Sequence, residues 1–264
     1  MSDQDKEPIL QMRGISKRFG AVQALSEVDF EVFLGEVVGL VGDNGAGKST
    51  LVKIIAGTYQ ADSGEYIFEG HPVTVNNPRD ATGLGIQTVY QDLALCDNLD
   101  VVANLYLGRE EMRQVVPGLV RSINEIAMEK HSQSFIESLH VTIPSLRSKI
   151  ATLSGGQRQS VAVARAVMWN SKVVLLDEPT AALGVEQTRQ VKDLIVRLRE
   201  QGLGVVVISH NLEDIFDVSD RIIVLRLGKR VATFETDVAD PERVVAAITG
   251  AVFGKNNARS KQSN

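Results

Sequence analysis

The 264-residue sequence contains a single cysteine, Cys96, which rules out a disulfide within the chain and any cysteine-built metal cluster. It is read as a small core residue in a reducing compartment. No stretch approaches 18 uninterrupted apolar residues, and the N-terminus is acidic with no apolar signal region. A soluble chain is therefore expected, and any transport role would need separate membrane subunits. Basic residues are not in excess: 28 lysines and arginines stand against 33 acids, a net charge of −5. That balance argues against a nucleic-acid surface built on bulk electrostatics. There is no internal repeat, no coiled-coil stretch and no zinc-binding insertion. What is there is an ordinary globular composition, 44% hydrophobic, enough to bury one large or two small domains.

The most informative segment is Gly42-Asp43-Asn44-Gly45-Ala46-Gly47-Lys48-Ser49-Thr50. It follows a short β-branched apolar run, residues 36–41, that reads as a buried strand, and it opens a helix predicted from Lys48 to about Ala56, stopping at Gly57. Glycines at 42, 45 and 47 let successive backbone N–H groups converge on one anion, and the helix N-terminus adds partial positive charge. Lys48 is then placed to reach the β- and γ-phosphates of a nucleotide, and the Ser49 hydroxyl suits Mg²⁺.

Ser154-Gly155-Gly156-Gln157 reads as a capping box opening a helix that runs to about Met168. A plain cap does not need two consecutive glycines, which weaken the first turn. They are useful where a ligand must approach bare N–H groups at the positive end of a helix. Both readings stay open on the residues alone.

Lys172-Val173-Val174-Leu175-Leu176-Asp177-Glu178-Pro179 is a buried strand with two carboxylates at its C-terminal end, where open parallel sheets place ligands. Alternation along a strand sends the two acids to opposite faces, hence to different tasks. Asp177 suits Mg²⁺ or its water shell, and Glu178 suits polarising an attacking water. A second apolar strand, residues 205–208, ends at Ser209-His210, which places His210 beside them.

Short alternating strands around residues 28–32 and 65–68 predict a small N-terminal antiparallel sheet. Between Gln91 and Ser154 the periodicity reads as helical, with a second capping box at Ser122–Glu125 and an apolar stripe of Ile123, Ile126, Ile136 and Leu139. Residues 221–225 and 230–234 flank Gly228-Lys229 as a hairpin, followed by a short helix. Residues 1–7 and 254–264 read as flexible polar tails around a single domain, 8–253, whose helical part covers about 92–165.

This set of motifs, in this order, resembles the ATP-binding cassette (ABC) ATPases over residues 10–250. The resemblance implies an α/β fold: a P-loop NTPase core with a mainly parallel sheet, an N-terminal antiparallel β subdomain, and a helical insert that carries the signature motif and swings relative to the core. Residues 42–50 match Walker A, so Gly42, Asn44, Gly45, Ala46, Gly47, Lys48, Ser49 and Thr50 would hold ATP. Residues 153–157 match the signature, so Ser154, Gly155, Gly156 and Gln157 of one copy would close over ATP held by another. Residues 173–178 match Walker B with Glu178 as catalytic base, and His210 matches the switch histidine. Gln91 matches the glutamine that touches Mg²⁺ and couples to a membrane partner, and Phe19 falls where an aromatic stacks on adenine. The implied metal ligands are Ser49, Gln91 and Asp177.

One position departs from the family. Gly184 stands where an acidic residue usually ends the segment after Walker B, which bears on hydrolysis rate and on communication across a dimer. Residues 77–81, 90–95 and 104–110 resemble the ribose, xylose and fructose group of bacterial carbohydrate importers, whose shorter members carry one cassette per chain. That resemblance implies a homodimer at the cytoplasmic face of the inner membrane, bound to permease subunits and served indirectly by a periplasmic sugar-binding protein, with no nucleic-acid partner. The competing readings are an importer of another small solute, a nonhydrolytic regulatory subunit, or a soluble ABC ATPase of DNA repair or translation. The last normally carries insertions or a second cassette that this sequence lacks.

Overall fold

The computed structural model describes residues 7–116 and 120–251. The expected tails, 1–7 and 254–264, lie outside them apart from Glu7. At the centre are five short parallel strands, β3 (Val37–Val41), β6 (Ile86–Val89), β9 (Val173–Asp177), β10 (Gly204–Ile208) and β11 (Arg221–Arg226). The edge strand β12 (Lys229–Glu235) pairs antiparallel to β11, and the sheet runs β12-β11-β3-β10-β9-β6. β3, β10 and the first four residues of β9 are apolar throughout because both faces are covered, whereas β6 carries Gln87 and Thr88 and β11 begins and ends in arginine. Val174, Leu176, Val205 and Val207 pack into one core, while their neighbours Val173, Leu175, Val206 and Ile208 pack into the other.

The second core is shared with α1 (Lys48–Ile55) and with the antiparallel sheet β2-β1-β4-β5, built from β1 (Leu10–Phe19), β2 (Val22–Val32), β4 (Ser63–Phe68) and β5 (His71–Pro72). The predicted N-terminal sheet is thus present, laid against the α1 side. On the other face lie α3 (Val101–Leu105), α4 (Glu125–Ser138), α5 (Gly155–Val167), α6 (Val185–Glu200), α7 (Leu212–Val218) and α8 (Pro241–Thr249). A further helix, α2 (Pro78–Gly83), leads into β6 with Asn77 and Asp80 forming a reciprocal capping box.

Four expectations for this part of the chain need correction. The segment between Gln91 and Ser154 is not helical throughout: β7 (Met112–Val116) and β8 (Val120–Ile123) pair antiparallel within it. The second capping box does not form either, because Ser122 sits in β8 opposite Arg113. Asn124 is the residue that caps α4, its Oδ1 accepting from the Ala127 N–H at 3.4 Å. The proposed apolar stripe splits accordingly. Ile136 and Leu139 are buried, but Ile123 and Ile126 are exposed, and the inner face of α4 is carried by Met128, Ser132 and Ile136. Cys96 is half-buried rather than in the core.

Candidate nucleotide site at the C-terminal edge of the parallel sheet

Four neighbouring strands, β3, β10, β9 and β6, end on the same edge, and each delivers one of the expected segments. The loop after β3 closes on Lys48, β10 leads to Ser209 and His210, β9 ends in Asp177 and Glu178, and β6 leads to Tyr90 and Gln91. A cleft of about 500 Å³ on this edge is lined by the loop residues Gly42, Asp43, Asn44 and Lys48 together with Glu178, Ser209 and His210. Leu212, Val245 and Ile248 supply an apolar wall, a contribution from α7 and α8 that has no local sequence signal.

The loop is shaped by its glycines. Gly42 has φ +154°, and a Cβ there would stand 2.2 Å from the Leu225 carbonyl oxygen; Gly47 has φ +106°, with a Cβ 2.8 Å from the Ala24 carbonyl oxygen. Neither position admits another residue without moving backbone. The helix that follows lacks a side-chain cap, as α6 does. α2, α3, α4, α5, α7 and α8 each receive a side-chain cap, whereas Gly47 leaves the first turn of α1 uncapped. Its N–H groups therefore face the cleft with no protein side chain to accept from them, which is the donor set a phosphate requires. The Lys48 ammonium spans the loop, donating to the carbonyls of Gly42 at 2.6 Å and Asp43 at 3.1 Å. Burial lowers its pKa, against the opposing pull of Glu178, Asp43 and Asp177.

Asp177 continues the face of Val173 and Leu175, which looks toward α1. It is the α1 side that also carries Ser49, so a hydroxyl and a carboxylate, both hard oxygen donors suited to Mg²⁺, share one side of the sheet. Desolvation and the neighbouring Glu178 raise the Asp177 pKa, while Lys48 and Lys53 oppose that rise. A divalent cation would fit this balance by screening one carboxylate from the other.

Glu178 has already left the strand. Its φ of +50° lies in the left-handed region, and its N–H donates to the Ile208 carbonyl at 2.9 Å. That turn aims the carboxylate at β10's end, where Oε2 lies 2.9 Å from His210 Nδ1 and accepts from the Ser209 hydroxyl at 3.4 Å. Alternation alone would have sent the side chain across the sheet; the backbone twist brings it to the histidine instead. Ser209 was not anticipated from the sequence. It also receives the Asn211 N–H at 3.0 Å and so ties the start of α7 to the same carboxylate.

Gln91 is exposed beyond the end of β6. Leu93 and Ala94, just after it, both have positive φ, and the Arg165 guanidinium of α5 donates to their two carbonyls at 2.9 and 2.7 Å. Phe19, at the end of β1, is 42% exposed and makes an edge-to-face contact with Tyr59 at 5.2 Å. Neither Gln91 nor Phe19 lines the 500 Å³ cleft.

The segment 154–157 forms the predicted capping box: Ser154 Oγ accepts from the Gln157 N–H at 3.3 Å and Gln157 Oε1 from the Ser154 N–H at 3.0 Å. None of these residues lines the cleft of its own chain. The paired glycines have a structural use beyond bare backbone. A Cβ on Gly156 would lie 3.0 Å from Gln187 Cβ, and one on Gly155 would lie 2.9 Å from Leu183 Cδ2, so both let α5 approach the start of α6. Gly184 caps α6 without a side chain, in open space and with ordinary φ of −74°. Nothing in the backbone there requires glycine.

Comparison with known proteins agrees with this geometry. The profile of the ABC transporter family matches residues 25–181. The xylose/arabinose import ATP-binding protein of Sulfolobus acidocaldarius is 44% identical over 96% of this chain and 99% of its own length. The fructose import ATP-binding protein of Rhizobium meliloti is 46% identical over 93% of this chain and 95% of its own. Among solved structures, an ATP-binding cassette of an ABC transporter in its ADP conformation superposes with a TM-score of 0.76 at 27% identity, covering 93% of this chain and 96% of that one. A dimeric post-hydrolysis cassette bound to ADP and Pi gives 0.69 at 26% identity, over 86% and 98%.

Proposed function

Because the chain belongs to the ABC transporter family, we propose that it is the ATP-hydrolysing subunit that powers import of a sugar through a separate membrane permease. The observation that carries this reading is the convergence of three strand ends, those of β3, β9 and β10, on one cleft, with an uncapped helix N-terminus and Lys48 on one side and the Glu178–His210 pair on the other.

The loop N–H groups of residues 42–50 cradle the phosphates, and Lys48 turns from its own carbonyls toward the β- and γ-phosphates. Ser49 and Asp177, with Gln91 at the loop beyond β6, hold Mg²⁺. The ion's contribution is to neutralise charge that develops on the phosphate oxygens. Glu178 orients the attacking water and accepts its proton, with His210 fixing the carboxylate from the far side. Phe19 stacks on the adenine.

The capping box at Ser154 stands outside its own chain's cleft, which suits it to close over nucleotide bound by a second copy, with Gly155 and Gly156 offering N–H groups. ATP thus joins two protomers and hydrolysis parts them. Gln91 passes this opening and closing to permease subunits at the cytoplasmic face of the membrane, and a periplasmic sugar-binding protein delivers the sugar from the other side. Among the described residues no helix is long and apolar enough to cross a membrane, so the passage for sugar is assigned to those partners. The relatives named for xylose, arabinose and fructose import support the solute class.

The test is co-purification with the permease encoded beside this chain, followed by ATPase assay in the presence of the sugar-loaded binding protein. Stimulated hydrolysis supports the reading. Recovery with ribosomes, or hydrolysis indifferent to permease and binding protein, contradicts it.

A further inference from the structure

Asp214, in the first turn of α7, is a buried carboxylate that does not line the nucleotide cleft. Its Oδ2 accepts from the Thr180 hydroxyl at 2.8 Å and from Asn211 Nδ2 at 3.1 Å, while Lys192 of α6 stands 3.5 Å from Oδ1. Thr180 comes two residues after Glu178, and Asn211 is the residue after His210. One carboxylate therefore joins the chain segment bearing the carboxyl member of the Glu178–His210 pair to the segment bearing the imidazole.

The segment that Thr180 anchors is strained. Glu178 and Ala182 both take positive φ, +50° and +60°, conformations that L side chains disfavour. Thr180 lies midway between them. Left-handed residues of this kind persist only where surrounding structure over-determines them. The backbone bonds within the segment, Ala181 N–H to the Glu178 carbonyl at 3.1 Å and Leu183 N–H to the Thr180 carbonyl at 3.3 Å, are local. Two bonds reach beyond it: the Glu178 N–H to the Ile208 carbonyl at 2.9 Å, which fixes the start of the segment to β10, and the Thr180–Asp214 bond, which spans 34 residues and fixes its middle to α7. A charged acceptor makes the latter the strongest kind of hydrogen bond available to a hydroxyl.

We propose that Thr180 and Asp214 act as a positioning clamp that holds the Glu178 carboxylate in register with His210. Neither lines the nucleotide cleft, and both act through Glu178; the inference rests on Glu178 being the base. A purely structural role for Asp214, as a satisfied polar group under α7, makes a different prediction. It would alter stability and leave the chemical step alone.

Thr180→Val removes the hydroxyl at nearly constant volume, and Thr180→Ser keeps it. We expect Thr180→Val to lower kcat for ATP about tenfold with KM and ATP affinity unchanged, since small misplacement of a catalytic group costs rate without binding. Thr180→Ser should stay within about twofold of the parent. In a Glu178→Gln background, where the clamped group no longer acts as base, Thr180→Val should cost no more than about twofold, the mark of residues working as a unit. Thr180→Ala leaves room for a water on Asp214 and serves if the valine variant fails to fold. A parental kcat in Thr180→Val or Thr180→Ala, a loss confined to KM, or a tenfold loss that persists on Glu178→Gln would each overturn the clamp. A parental rate in Glu178→Gln alone would instead remove the base assignment, and the clamp with it.

Discussion

Glu178 and His210 meet across two strand ends, Oε2 to Nδ1 at 2.9 Å, with the glutamate largely shielded and the imidazole 77% exposed. The contact aligns the carboxylate while leaving the outer ring nitrogen free for a ligand in the cleft. His210→Ala should therefore lower kcat by about 10²-fold, with ATP affinity changed by no more than a few-fold. Single-turnover hydrolysis beside equilibrium binding of a labelled nucleotide separates the two. A large loss of affinity with intact turnover would assign His210 to binding alone.

Lys48 donates to two loop carbonyls and carries the charge for the phosphates. Lys48→Ala should weaken ATP binding by about 1.5–3 kcal/mol, the range for hydrogen bonds to charged groups, or roughly 10- to 100-fold in Kd. Titration calorimetry measures this directly. Binding at parental affinity would show that the uncapped N-terminus of α1 suffices.

The loop glycines make a graded test of geometry. Gly45 has φ +79° with open space around its Cβ position, so Gly45→Ala should cost only about 1–2 kcal/mol, the left-handed penalty. Gly42→Ala drives a methyl to 2.2 Å from a backbone oxygen and should cost more than about 3 kcal/mol. Denaturant midpoints should fall in that order; equal midpoints would mean the loop relaxes around either methyl.

Much of this site was legible in the sequence because its chemistry is local. A phosphate cradle needs glycines and a lysine within one turn, so residues 42–50 announce themselves, and strands buried on both faces cannot hide their apolar runs at 37–41, 173–177 and 204–208. What stayed illegible depends on distance or on degenerate signals. The Thr180–Asp214 bond joins residues 34 apart and leaves no local pattern. Ser122 and Asn124 are both good caps two residues apart, and only tertiary pairing of Ser122 in β8 decides for Asn124. The β7–β8 hairpin leaves little signal because its paired Met112 and Ile123 are exposed and Ile123 reads as the start of the helical stripe. The two glycines at 155–156 read equally as a plain cap or as exposed backbone for a ligand, and their packing against Leu183 and Gln187 is invisible without the start of α6 beside them.

Gly184 occupies an N-cap position with room for a side chain. Gly184→Asp should stabilise α6 by a few tenths of a kcal/mol, raising Tm by about 1 °C. If glycine does not limit turnover, hydrolysis should stay within about twofold of the parent. A large gain in rate would identify Gly184 as a brake.

The most direct measurement is ATP turnover and sedimentation of Glu178→Gln with Mg²⁺ and ATP. The substitution keeps an acceptor for His210 and removes the base. Turnover should fall by about 10²–10⁴-fold while ATP affinity is retained, and the protein should sediment as a nucleotide-dependent dimer. Undiminished hydrolysis, or a monomer at saturating ATP, would contradict the account.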